Sequence, residues 1–210
     1  MILGLLNQKG GVGKTTLALN VAASLARRNN RVLVLDADTQ GSALDWLAIR
    51  EEEAIFNVLG LPSPTIHRQA PEFRKDYNHI IIDAPGRVEA IARSIIIAAD
   101  VIMIPVQPSP YDVWAAADVV KLIEEARMFN EALKVVFAIN RKIVNTAIGR
   151  DVADALAEYK YPVLESAICQ RVLFPESAAL GKAAYEVSPD SKAAIEIEAL
   201  TSELLGVCNG

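Results

Sequence analysis

Short apolar runs recur along the chain at residues 2–6, 31–35, 79–82, 101–106 and 135–139, rich in Val, Ile and Leu and without polar alternation. Strands buried on both faces have this character. Between them, residues 15–28, 42–50, 88–99 and 113–130 are Ala-rich or amphipathic at helical spacing, each long enough for a crossover connection. That order predicts an α/β fold, a mostly parallel twisted sheet with helices on both faces. Ligands of such sheets sit at the carboxyl ends of the strands. Beyond residue 144 the pattern predicts a helix over 145–159, an extended piece over 163–168, and helices over 175–185 and 189–205. The Pro-bearing stretch Pro62 to Pro71 (PSPTIHRQAP) reads only as a loop-rich connection.

The chain of 210 residues is 52% hydrophobic and 22% charged. It therefore has the make-up of one globular domain spanning 1–210, with no internal repeat or linker. No apolar run approaches the roughly 20 residues of a membrane span, and the start MILGLLNQKGG does not resemble a secretion signal, so a cytoplasmic location is expected. Cys169 and Cys208 form no CxxC, and with only His67 and His79 as further soft ligands they argue against zinc or an iron-sulfur cluster. The net charge of -5 is too acidic for a protein coated in positive charge, so any nucleic-acid binding needs a local patch.

The sharpest signal is Lys9-Gly10-Gly11-Val12-Gly13-Lys14-Thr15-Thr16, between the first strand and the first helix. Its glycines let backbone amides point inward at an anion, and the helix adds the positive end of its dipole. These features predict a polyphosphate there, with Lys14 on the β and γ phosphates, the Thr15 hydroxyl on Mg²⁺ and Thr16 at the α phosphate. The strict phosphate-loop pattern asks for Gly where Gln8 stands, and the chain carries a second lysine, Lys9, instead. A single-domain P-loop NTPase follows.

Two further acidic sites end strands. Asp36 and Asp38 flank Ala37 ahead of Thr39-Gln40-Gly41-Ser42; either the pair serves a cation and a water, or Asp38, like Ser42 or Asp45, only caps the next helix. The strand at 79–82 runs into Asp83-Ala84-Pro85-Gly86, a Walker B arrangement in which Asp83 holds Mg²⁺ through water and Pro85-Gly86 forms a loop that senses the γ phosphate.

The KGGVGKTT run resembles the deviant Walker A box of the ParA/MinD superfamily. The resemblance implies that Lys9 reaches across a dimer to the partner's nucleotide, with Lys9, Lys14 and Asp38 as the catalytic residues of an ATPase. Asp36-Ala37-Asp38-Thr39-Gln40-Gly41 is similar to the DxDxQG box of ParA proteins, which implies that Asp36 orders water on Mg²⁺, that Asp38 positions the attacking water, and that residues 40–42 form a switch. Asn140-Arg141-Lys142 resembles the segment whose Asn pairs with the adenine edge, although an Asn at a strand end is also a common turn residue. Residues 104–112, with Pro105, Pro108 and Pro110 before Tyr111 and Asp112, resemble the proline-bearing segment of small ParF-type ATPases, placed there at the nucleotide and between protomers. The three prolines equally specify a stiff connection. Ile168-Cys169-Gln170-Arg171 with Glu176 and Gly181 is similar to the C-terminal part of ParA proteins.

The resemblance thus implies a slow, Mg²⁺- and ATP-dependent ATPase that forms an ATP sandwich homodimer. On that likeness it binds non-specific nucleoid DNA and segregates or positions a cargo, either a plasmid or chromosome or, as in the McdA-like branch, a carboxysome. A ParB/ParG-like or McdB-like partner stimulates it, and no membrane is involved. The candidate DNA patch is Arg141, Lys142, Arg150, Arg171, Lys182 and Lys192. Two other classes share these motifs: a MinD-like membrane-cycling regulator, which needs a basic amphipathic tail where this chain has Glu196, Glu198 and Glu203, and a metabolic enzyme or metal carrier on the same fold.

Overall fold

A computed structural model describes residues 1–144 and 148–209, the side chains of residues 148–151 excepted. The strands are β1 (Ile2–Leu5), β2 (Val32–Asp36), β3 (Asn57–Gly60), β4 (His79–Asp83), β5 (Val101–Val106) and β6 (Lys134–Ile139). They form one sheet in the order β3-β2-β4-β1-β5-β6, every neighbouring pair parallel. β1, β2 and β5 are buried along their whole length, which is why their sequences lack polar alternation. β3 differs. Its burial alternates between exposed and half-buried because it is an edge strand, and it was not among the predicted strands.

Helices α1 (Lys14–Arg27), α2 (Ser42–Ala48), α7 (Leu173–Ala178), α8 (Ala184–Val187) and α9 (Lys192–Asn209) cover one face of the sheet around Leu17, Trp46, Phe174 and Leu200. Helices α3 (Ile66–Gln69), α4 (Glu89–Ala98), α5 (Pro110–Ala126) and α6 (Ile148–Leu156) cover the other around Ile66, Ile95, Ile123 and Val152. The expected helices on both faces are therefore present. Among the described residues no helix is long and apolar enough to cross a membrane.

Two local expectations are corrected. The stretch after Pro62 is helical rather than loop-rich, α3 leading into a 3₁₀ turn at Ala70–Lys75, because Ile66 and Ala70 are wholly buried anchors against α4. The helix expected over 175–185 is two helices. Gly181 breaks it at φ +62°, since a Cβ there would lie 2.7 Å from the Trp46 carbonyl and 2.8 Å from Arg50. The extended piece expected at 163–168 is laid along β6: Phe137 N–H donates to Pro162 O, Phe137 O accepts Leu164 N–H, and Ile168 N–H donates to Ile139 O. Residues 145–147, at the start of the helix expected over 145–159, lie outside the described residues.

The acids of α9 point to its role. Glu198 accepts from Ser24 and Arg28 on α1 at 2.7 and 2.6 Å, Glu203 from the backbone of Glu165 and Ser166, and Glu196 from Cys169 N–H and Arg171. The C-terminal helix is clasped to the body by its carboxylates.

At the start of β4, burial foremost, with the nearby positive charges of the Met1 amine and Arg28, lowers the His79 imidazole from 6.5 to about 4. Its Nδ1 is buried without a hydrogen-bond partner among the described residues. Between these values the unfolded chain binds a proton that the folded chain refuses, so this contribution to stability is present above pH 6.5 and disappears as pH falls through 4. Urea unfolding across this range should show the wild type losing stability relative to His79→Gln from pH 6.5 to 4, with a constant difference above pH 7; a constant difference throughout would contradict the assignment.

Candidate functional site: a phosphate cradle at the strand ends

Parallel pairing fixes the site. Asp36 and Leu5 are both register partners of Asp83, so the ends of β2, β4 and β1 lie side by side and two carboxylates meet at the mouth of the β1–α1 loop. Gly11 and Gly13 of that loop take left-handed φ values of 75° and 93°. At Gly13 there is also no room, since a Cβ would stand 2.3 Å from Asn140 Nδ2.

Side chains from neighbouring strand ends brace the loop. Asn140 donates to Val12 O at 2.7 Å and Gln107 to Gly11 O at 2.9 Å. Asn7 donates to Pro105 O at 2.8 Å and accepts the Lys9 N–H at 2.9 Å. Most of these braces engage carbonyls. The first turn of α1 has N–H groups without intrahelical acceptors, and among the described residues no side chain caps it. An anion suits that end of the helix.

Lys14 is buried, with Nζ held by Asn7 O at 3.0 Å and turned toward Lys9 O at 3.5 Å. Burial lowers its pKa, opposed by the charges of Asp83 and Asp38. Thr15 Oγ1 donates to Asp83 Oδ2 at 2.6 Å, while Asp83 Oδ1, on a residue 2% exposed, has no partner among the described residues. Burial pushes the Asp83 carboxyl up to about 7, with the Thr15 bond opposing and Asp36 adding to the rise. A hydroxyl beside a carboxylate with a spare buried oxygen suits a hard cation that takes its other ligands from phosphate and water. Consistently, among the described residues no cluster of three or more His, Cys, Asp or Glu could hold a metal by itself.

Asp36 has a second task. Its Oδ2 accepts Ala43 N–H at 2.9 Å and Leu44 N–H at 3.2 Å, and its Oδ1 accepts Asp38 N–H at 3.2 Å. Burial raises its pKa and these three bonds oppose the rise. The carboxylate that caps α2 is thus Asp36; the sequence offered Asp38, Ser42 or Asp45 for it, and Gly41 stands at the N-cap position. The carboxylate of half-buried Asp38 accepts the Gln40 N–H at 3.0 Å. Lys9, the other loop lysine, gives its Nζ to Asp112 Oδ2 at 2.7 Å.

Beside Gly13 and Thr16 opens a cavity of about 670 Å³, lined by Asn140, Arg141, Ile143, Arg171 and Phe174 among others, roomy enough for a nucleoside. A second cavity of about 240 Å³ lies between Asn7, Gln8, the Pro85–Val88 loop, α4 and α5. The structure gathers three of the six basic residues picked for a patch: Arg141 and Arg171 line the large cavity, and Lys142 is bridged to Cys169 beside it. Arg171 pairs with Glu196 at 2.5 Å. Lys182 sits elsewhere, paired with Glu52 at 2.6 Å, and Lys192 is exposed at the start of α9. The Arg150 side chain lies outside the described residues. Asn7 and Gln107 were missed by sequence reading. An Asn directly after an apolar strand was the available signal for Asn7, and the resemblance carried by residues 104–112 was the one for Gln107.

Residues 3–184 match the family described as the CobQ/CobB/MinD/ParA nucleotide binding domain. The maintenance of carboxysome distribution protein A of Halothiobacillus neapolitanus is 31% identical over 209 residues, 97% of this chain and 95% of that protein. The chromosome-partitioning ATPase Soj of Thermus thermophilus is 28% identical over 236 residues, 97% of this chain and 94% of that protein. In fold, the chain resembles the septum site-determining protein MinD of Pyrococcus horikoshii complexed with Mg-ADP, with a TM-score of 0.77 at 19% identity over 99% of this chain and 98% of that one.

Gly13→Ala should destabilise the protein by about 1–3 kcal/mol in chemical denaturation, because it strains a left-handed backbone and displaces Asn140. Gly10→Ala, where a Cβ meets no atom within 4 Å, should change stability by less than about 0.5 kcal/mol. Equal effects would contradict the geometry.

Proposed function

The chain belongs to the CobQ/CobB/MinD/ParA nucleotide-binding family, and we propose that within it this protein is a slow ATPase whose ATP-bound form is a dimer that positions a cargo over DNA. The observation that carries the reading is the division of labour between two lysines on one loop. Lys14 is buried under the cradle, whereas Lys9 is anchored outside it on α5 with a half-exposed side chain. A cation set beside a phosphate site but not turned into it suits a second copy's phosphates.

The surroundings agree. Val88, Tyr111, Trp114 and Val144 are exposed, and all belong to segments that follow strands at the end of the sheet that holds the cradle. Apolar side chains gathered around a binding site mark a surface that another molecule covers.

The residues take these roles. Amides of Lys9 to Thr16 cradle the phosphates, Lys14 neutralises the β and γ groups, and Thr16 contacts the α group. Thr15, with Asp83 and Asp36 acting through water, holds Mg²⁺, which when bound neutralises charge between the β and γ phosphates. Asp38 orients the attacking water, so that ATP and water give ADP and phosphate. Asn140 and Arg141 receive the base in the large cavity. Arg141, Lys142 and Arg171, with the dispersed Lys182, Lys192 and Arg150, supply phosphate contacts to DNA in the dimer. Loss of the γ phosphate removes the anion that Lys9 reaches, and the copies part.

Two relatives, one named for carboxysome distribution and one for chromosome partitioning, both matched over nearly their whole length, support a cargo-positioning role. A partner of the ParB, ParG or McdB kind stimulates turnover. A membrane-cycling role would require a tail that offers cations to lipid, and here the acids of α9 are spent on the body of the protein.

Light scattering with a slowly hydrolysed ATP analogue should show the wild-type mass doubling. Lys9→Ala should bind the analogue and remain a monomer, and Lys14→Ala should lose nucleotide affinity by at least about a hundredfold, in the range of a lost charged partner for phosphate. DNA should be retained only with ATP and released steeply by salt. A wild type that stays monomeric with the analogue, or a Lys9→Ala protein that dimerises like it, would overturn the reading.

A further inference from the structure

The same ion pair that anchors Lys9 raises a question about how the cation is kept from its target until a triphosphate is present. Asp112 is the third residue of α5, whose first residue is Pro110, with its ring suited to the opening position of a helix. That placement buries its carboxylate, 1% exposed, at the positive end of the helix. Oδ2 accepts Lys9 Nζ at 2.7 Å, and Oδ1 has no partner among the described residues. The lysine side chain is 40% exposed, so it spans from the surface down to a buried anion.

We propose that Asp112 is a positioning residue for Lys9, a counter-ion in the same chain that holds the cation back until the terminal phosphate on a second copy draws it across. This rests on the two-copy reading above. When Lys9 leaves, the Asp112 carboxylate stays buried with neither oxygen paired by a cation, which raises the free energy of every conformation in which Lys9 reaches outward. Only an anion strong enough to compensate shifts that population. A triphosphate presents its terminal group at the mouth of the cradle and a diphosphate does not, so the pair makes dimerisation discriminate between the two nucleotides. The exposed aromatic pair next to Asp112, Tyr111 and Trp114 with ring centroids 5.4 Å apart, then lies where the arriving copy makes contact.

Two measurements on the full chain test this. In the nucleotide-free protein, trace acetylation by acetic anhydride, read by peptide mass, should modify Lys9 several-fold more slowly than exposed Lys121, and Asp112→Asn should bring Lys9 close to the Lys121 rate. With the slowly hydrolysed analogue, Asp112→Asn should dimerise at roughly tenfold lower protein concentration than the wild type, and should also begin to dimerise with ADP. Asp112→Ser serves as a second variant should the amide fail to fold. Lys9 labelled as fast as Lys121 in the wild type overturns the proposal. So does a wild type that dimerises with the analogue at the same concentration as Asp112→Asn, and in that case the two-copy reading stands. If the wild type never dimerises with the analogue, both fall.

Discussion

A carboxylate buried at the end of a central strand, with one oxygen on a threonine and the other unmatched, is the constraint around which this molecule is organised. Asp83 sits between β1 and β2 in register, so whatever satisfies its spare oxygen also meets Thr15 on α1 and Asp36 on β2. In a low-dielectric position a lone carboxylate favours its neutral form, which is why the Asp83 carboxyl is driven up to about 7. A bound cation would reverse that preference. A metal-phosphate complex at this place would offset the cost of burying that carboxylate.

Asp36 connects that site to the rest of the chain. By capping α2 it fixes the helix that follows the Asp38 loop, and α2 is in turn seamed to the C-terminal helices. Arg50, just past α2 and 2% exposed in its side chain, pairs with Glu186 at 2.6 Å and donates to Gly181 O at 2.9 Å, while Trp46 donates to Lys182 O. Asn20 on α1 bridges the other way, donating to Thr16 O and accepting Ala184 N–H. Segments 173–187 therefore touch the large cavity at Phe174 and the acidic loop through α2. A buried ion pair of this kind is worth less as net stability than as a specification of one arrangement, and here the arrangement joins the large cavity to the Asp36–Asp38 loop.

The two loop lysines illustrate how environment separates identical side chains. Lys14 is enclosed by carbonyls and lowered by burial, fit to meet phosphate at short range. Lys9, five residues earlier, is drawn to α5 by the Asp112 carboxylate in its first turn. The loop places both near one anion site, and their partners hold them in different surroundings.

The buried parallel strands were legible from sequence because both faces of each are covered, which leaves a run of Val and Ile with no alternation for composition to hide. The phosphate loop was legible because left-handed turns need glycine and an anion needs lysine, both local requirements. β3 was not, since an edge strand half in solvent carries no such run. The break at Gly181 and the buried face of α3 came from contacts with Trp46, Arg50 and α4, which lie far away along the chain. The braces from Asn7, Gln107 and Asn140, the choice of Asp36 as the cap of α2, and the pairing of Lys9 with Asp112 were likewise decided by tertiary structure. Apart from the local Asp36 cap, each depends on the distance between neighbouring strand ends, and a sequence states which groups exist without stating which of them the sheet register will bring together.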